Sequence, residues 1–94
     1  MSNLFMKTDY NGDINEWDVS NVTDMNAMFY YNSLFDQPIE DWNISSVNYM
    51  TCMFCNAESF NQDISNWNLN NVKNIDSIFI GCRIKEIYKP KFNY

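Results

Sequence analysis

The residues of this chain best suited to chemistry are its three cysteines. Cys52 and Cys55 stand in a C-x-x-C spacing, and Cys82 follows later. That spacing is half of a zinc site, and Cys82 offers a third ligand. Zinc takes four ligands in a structural site, and the usual second pair is missing. Histidine is absent, which removes the commonest general base and the commonest metal ligand. Asp9, Asp13 and Asp18 form a carboxylate series, but their spacing does not fit a calcium loop of the EF-hand type. There is no nucleophile elbow, no phosphate-binding P-loop and no dinucleotide fingerprint. The reading is therefore no catalytic residue, no metal, no cofactor and no small-molecule substrate, and the chain is expected not to be an enzyme.

The elements that must position these residues are copies of one another. Shifted by 25 residues, the sequence meets itself without a gap. Trp17, Trp42 and Trp67 share a column, as do Val22, Val47 and Val72, and Ile14, Ile39 and Ile64. Further columns are Phe29, Phe54 and Phe79; Met25, Met50 and Ile75; Met28, Met53 and Ile78; and Val19, Ile44 and Leu69. Cys52 shares its column with Ala27 and Ser77, and Cys82 shares one with Asn32 and Ala57. The cysteines thus read as small packing residues. Three thiols cannot all pair within one chain, and the sequence shows no secretory signal, so they are expected to be reduced.

A fixed period of this length predicts a stack in which each unit buries its apolar side against the next. The expected fold is an α/β repeat solenoid, a short right-handed leucine-rich-repeat-like stack of three 25-residue units capped at both ends. Residues 1–9 form the N-terminal cap, 10–34, 35–59 and 60–82 the repeats, and 83–94 a C-terminal cap with a basic tail. Within a unit, Trp-x-Val is strict alternation, which predicts short parallel strands at about 16–20, 41–45 and 66–70. The steps Val22, Met25, Met28 and Phe29 follow one face of a helix, which predicts short helices near 22–31, 47–57 and 72–80. Gly81 suits a left-handed residue at the end of the third.

The formal charge is −6. An acidic chain lacks the cationic surface that sequence-independent nucleic-acid binding requires, and anionic lipid does not attract it. No apolar run is long enough to cross a membrane. The N-terminus carries no export signal, so the expected location is intracellular or virion-associated, or the cell surface if a leader is removed.

If Trp and Val face inward on each predicted strand, Glu16, Asp18, Ser20, Asp41, Asn43, Ser45, Asn66, Asn68 and Asn70 face outward. They make a polar, partly acidic surface and a candidate partner-binding face. The alternative is a ladder of amides and carboxylates that only satisfies neighbouring chain. Four of the six cations, Arg83, Lys85, Lys89 and Lys91, lie in the last 12 residues. That basic tail is a second candidate contact, or simply a solvated end.

The phrase W-D-V-S-N-V-T-D-M-N-A-M-F at 17–29, with S-F-N-Q-D-I-S-N-W at 59–67, closely resembles the BspA-like leucine-rich repeat family. These repeats occur in bacterial surface proteins and mycoplasma lipoproteins, and also in protists and giant DNA viruses. The resemblance covers residues 10–82. It implies a leucine-rich-repeat-like solenoid and roles in adhesion and protein–protein contact, and it carries over no catalytic residue. This chain departs from the family in its missing export signal and lipid-anchor cysteine, in having three units, and in Ile75 and Ile78 where methionine is usual. The expected function is a non-enzymatic protein–protein interaction module whose partner is another protein or a copy of itself. The alternatives are a structural component of a virion or surface layer, or an adhesion fragment of a longer surface protein.

Overall fold

A computed structural model describes residues 1–73, 75 and 77–90. Among them the expected α/β solenoid is overturned. There is no α-helix and no strand. The sole regular element is a 3-10 turn at Glu86–Tyr88, and the sole β-type pairing is an isolated parallel bridge between Asp24 and Tyr49.

The predicted strands fail because their amide hydrogens are used locally. Trp17, Trp42 and Trp67 donate to the carbonyls of Ile14, Ile39 and Ile64, and just beyond each predicted strand Val22, Val47 and Val72 donate back to the strand carbonyls of Val19, Ile44 and Leu69, at 2.9–3.2 Å. Each is a turn closed over three residues. The in–out alternation survives: Trp42 and Ile44, and Trp67 and Leu69, are buried, while the residues between them are exposed.

The predicted helices fail for a related reason. A step of three residues is the period of a tight turn as well as of a helix face. Met28 donates to Met25, Tyr30 to Ala27 and Asn32 to Phe29. The alternate amides turn away, with Met25, Ala27, Phe29 and Tyr31 donating to Tyr49, Thr51, Met53 and Cys55 of the next copy at 2.8–2.9 Å. In the copy after, Phe54 and Asn56 donate to Ile78 and Ile80. Left-handed residues recur every fourth position to make this possible: Ala27 (φ 57°) and Tyr31 (φ 57°), then Cys52 (φ 53°) and Asn56 (φ 57°). No α-helix passes through such residues. Gly81 is left-handed as expected (φ 73°), but as the successor of Tyr31 and Asn56 in a turn, not as a helix terminus. Within the segment 72–80, residues 74 and 76 lie outside the described residues.

The core is a set of aromatic columns. Phe29 stacks on Phe54 at 5.4 Å, and Phe54 on Phe79 at 5.7 Å; Phe35 stacks on Phe60 at 5.9 Å, and Trp42 on Trp67 at 6.3 Å. Met25, Met28, Met50 and Met53 fill the space beside them and are fully enclosed. Burying such side chains contributes about 1.5–3 kcal/mol each.

Candidate functional site

Residues 1–7 have no counterpart at a shift of 25, but at a shift of 24 Met1, Leu4 and Phe5 fall on Met25, Met28 and Phe29. The fold uses that register. Asn3, Phe5 and Lys7 donate to the carbonyls of Asn26, Met28 and Tyr30 at 3.0, 2.9 and 2.7 Å. Asn3 (φ 61°) and Lys7 (φ 58°) repeat the left-handed positions of Ala27 and Tyr31, and Phe5 stacks on Phe29 at 5.5 Å. A gapless 25-residue comparison cannot see this extra turn row. The signal was the M-x-x-L-F spacing, one residue out of phase.

Buried Asn32 ties that segment down. Its Nδ2 donates to Tyr10 O at 3.1 Å and Thr8 Oγ1 at 3.4 Å, and its Oδ1 accepts from the amides of Leu34 and Phe35 at 3.0 and 2.9 Å. A second column runs through Asn11, Asp36 and Asn61. Their side-chain oxygens accept from the amides of Asp36, Asn61 and Lys85, each at 2.9 Å. Lys85 thereby takes the place that a 25-residue step would give to Glu86, one residue early.

The outward candidates sit in three parallel groups, and most of their side chains are engaged locally. Asp18 Oδ1 accepts from Ser20 N and Oγ at 3.0 and 2.6 Å, and Asn43 Oδ1 from Ser45 N and Oγ at 3.1 and 2.7 Å. Asn68 Oδ1 accepts from Asn70 N at 2.9 Å. These are Asx turns, which hold the chain in its bends. Asp41 Oδ2 accepts from Asn15 Nδ2 at 2.9 Å. Among the described residues the side chains of Glu16, Asn66 and Asn70 make no hydrogen bond. The Ser20 hydroxyl, then its amide, lower the pKa of Asp18, and Ser65 does the same for Asp63.

Among the described residues, two of the basic side chains have partners. Lys89 Nζ pairs with Glu86 Oε1 at 2.8 Å and lies 5.5 Å from the ring centre of Phe79. Lys85 Nζ lies 5.5 Å from the ring centre of Tyr88. Arg83 is exposed, and Lys91 falls outside the described residues. A shallow open groove of about 530 Å³, lined by Lys7, Tyr30 and Tyr31, was not anticipated from sequence.

The cysteines also depart from expectation. Cys52 and Cys55 are joined as a disulfide, with Cα atoms 4.7 Å apart, rather than reduced. The left-handed turn at Cys52 supplies the reason, since Cys55 N donates to Cys52 O at 3.2 Å and the turn brings the two side chains together. Cys82 is free and half-buried, and burial raises its pKa. Among the described residues no group of three or more Cys, Asp or Glu side chains is placed to hold a metal ion. No described helix is long and apolar enough to cross a membrane.

Among the described residues two edges of the fold are open. At one, the carbonyls of Ser2, Leu4 and Met6 accept no hydrogen bond from a described residue, and Leu4 (49%) and Trp17 (42%) are exposed. At the other, the amides of Ile75, Ser77, Phe79 and Gly81 donate to no described residue, and Ile80 is exposed (58%).

The family model described as "Mycoplasma protein of unknown function, DUF285" matches residues 1–89. No curated protein and no solved structure matches the chain.

Proposed function

The chain belongs to the DUF285 family of mycoplasma proteins of unknown function, and from that membership and the geometry above we propose that it is a non-enzymatic interaction module that binds another protein. The observation that carries the reading is the outward row. Asp41, Asn43 and Ser45, then Asn66, Asn68 and Asn70, are exposed on a backbone whose intervening Trp42, Ile44, Trp67 and Leu69 are buried. The Asx turns fix these bends before any partner arrives, and a preorganised surface loses little conformational freedom on binding. Glu16, Asn66 and Asn70, whose side chains make no internal hydrogen bond among the described residues, have most to offer a partner. The BspA-like phrases at 17–29 and 59–67 support the same reading, since that resemblance implies protein–protein contact.

The test is cross-linking of the tagged chain in extract of its source cells, with an E16R/N66R variant beside the wild type. Both substitutions sit on exposed positions and leave the Asx turns intact. A defined protein recovered with the wild type and lost with the variant supports the reading. Equal recovery with both removes the outward row as the contact.

A second reading, a structural component of a larger assembly such as a virion or surface layer, is favoured by the two open edges. Stoichiometric presence of the chain in purified particles supports it, and absence from them excludes it.

A further inference from the structure

We propose that the two open edges are complementary, and that one copy of this chain docks its 75–81 edge onto the 1–7 edge of a second copy, head to tail. The contact does not use the outward row, so it stands or falls separately from the reading above.

Three features meet at this contact. The first is hydrogen bonding. Inside the molecule, alternate amides of one turn row donate to alternate carbonyls of the next at 2.7–3.0 Å. Along these rows the amides point one way, 1–7 donating to 25–31, 25–31 to 49–55, and Phe54 and Asn56 to Ile78 and Ile80. At the row starts the direction reverses, with Asn48 and Tyr49 donating to Thr23 O and Lys73 to Asn48 O. The 75–81 edge therefore presents amides, at Ile75, Ser77, Phe79 and Gly81, and the 1–7 edge presents carbonyls, at Ser2, Leu4 and Met6. An amide row cannot pair with another amide row. Two 75–81 edges are mismatched, as are two 1–7 edges, while one of each matches in the register used internally.

The second feature is the apolar column. Phe5, Phe29, Phe54 and Phe79 stack at 5.5, 5.4 and 5.7 Å. Phe5 and Phe79 close its ends and are half-buried, whereas Phe29 and Phe54 are wholly enclosed. Phe79 of one copy over Phe5 of the next continues the column once the Lys89 ammonium leaves the Phe79 ring. Leu4 and Ile80, both exposed, flank it.

The third feature is charge. Asp9 and Asp13 follow the 1–7 edge in the chain, although the edge itself carries Lys7, and Arg83, Lys85 and Lys89 follow the 75–81 edge, where Glu86 pairs with Lys89. Head-to-tail docking sets opposite charges near one another, and such steering weakens with salt. Each copy keeps one edge of each kind after docking, so the contact does not close on itself and growth continues to open chains.

The experiment is analytical ultracentrifugation of the full chain over a concentration series at low and high salt, with two exposed-site variants, Leu4→Lys and Ile80→Lys. The wild type is expected to grow past a dimer with concentration and to shrink with salt. Each variant alone is expected to remain a monomer, because every contact in its solution includes a damaged edge. An equimolar mixture is expected to form a one-to-one dimer and no more, since the Leu4→Lys copy keeps an intact 75–81 edge and the Ile80→Lys copy an intact 1–7 edge. Urea denaturation verifies that both variants fold. A wild type that stays monomeric overturns the proposal, and this result needs no variant. A wild type that stops at a dimer, or a mixture no larger than its components, also overturns it, because a symmetric contact is not rescued by mixing.

Discussion

The indole Nε1–H of Trp42 donates to the carbonyl oxygen of Ile14 at 2.9 Å, across 28 residues of chain. Trp67 repeats the bond to Ile39 at 3.1 Å. Both indoles are buried and stack on each other. Each tryptophan thus fills its own layer and satisfies a backbone oxygen of the layer before. Trp17 holds the same column position but lies in the first layer. It finds no acceptor among the described residues, is 42% exposed, and leans on Phe5 at 6.0 Å.

Trp42→Phe keeps a ring in the column and removes the N–H, which leaves the Trp17 amide as the remaining donor to Ile14 O. Losing one such hydrogen bond costs about 0.5–1.5 kcal/mol. Trp17→Phe loses no internal bond and is expected to cost under about 1 kcal/mol. Urea midpoints of the two variants check this. An equal loss in both would contradict the role given to the indole bond.

Ala27→Gly separates the turn from a helix directly. In a helix interior the substitution costs about 1 kcal/mol. At φ 57° the alanine Cβ is strained by about 1–2 kcal/mol, so glycine is expected to leave stability unchanged or raise it by up to about 1 kcal/mol once its greater unfolded-state freedom is counted. The sign of the shift in thermal midpoint reads the answer.

Asn32→Ala removes four hydrogen bonds at a site with no solvent access. The stranded amides and carbonyl predict a loss of about 2 kcal/mol or more. Asn32→Asp keeps the acceptor for Leu34 and Phe35 but loses the donor to Tyr10 and Thr8. It is expected to loosen the 1–7 segment selectively, seen as faster amide exchange at Phe5 and Lys7.

Asp18 and Asp63 hold carboxylates with pKa values lowered from 3.8, chiefly by the hydroxyls of Ser20 and Ser65. A lowered folded-state pKa means the charged form favours folding. That contribution is present above the unfolded value and is lost as pH falls below about 4 through the folded one. Asn43 already does the work of Asp18 one copy later, so Asp18→Asn is expected to keep its turn at pH 7 and flatten the acid limb of the stability curve. Carboxylate carbon shifts across an acid titration, set against urea midpoints, measure both.

Much of the interior was legible from the chain alone. Columns 25 residues apart identified Ile14, Phe29, Ile39, Phe54, Ile64 and the methionines as core, because an apolar residue recurring at one place in every copy is one that each copy buries. The alternation around Trp42 and Trp67 placed the outward residues correctly. What those side chains do was not legible. An Asn facing out can meet a partner or close an Asx turn, and the sequence around Asn43 is the same either way.

Sequence by itself determined the period, and with it which residues face the core. Tertiary structure decided the backbone. Val22, Met25 and Met28 stand three residues apart in a helix and in a run of tight turns alike, so local spacing does not choose between them. The choice falls to the alternate amides. Ala27 and Phe29 find carbonyls at Thr51 and Met53 of the next copy, and those bonds replace the ones a helix would have made to residues four earlier. A competition between near and far acceptors is resolved only when the far ones are in place. The same is true of the one-residue slip that seats Phe5 on Phe29. It breaks the sequence period, yet the carbonyls of Asn26, Met28 and Tyr30 impose it, since amides that meet no acceptor there would be left without one.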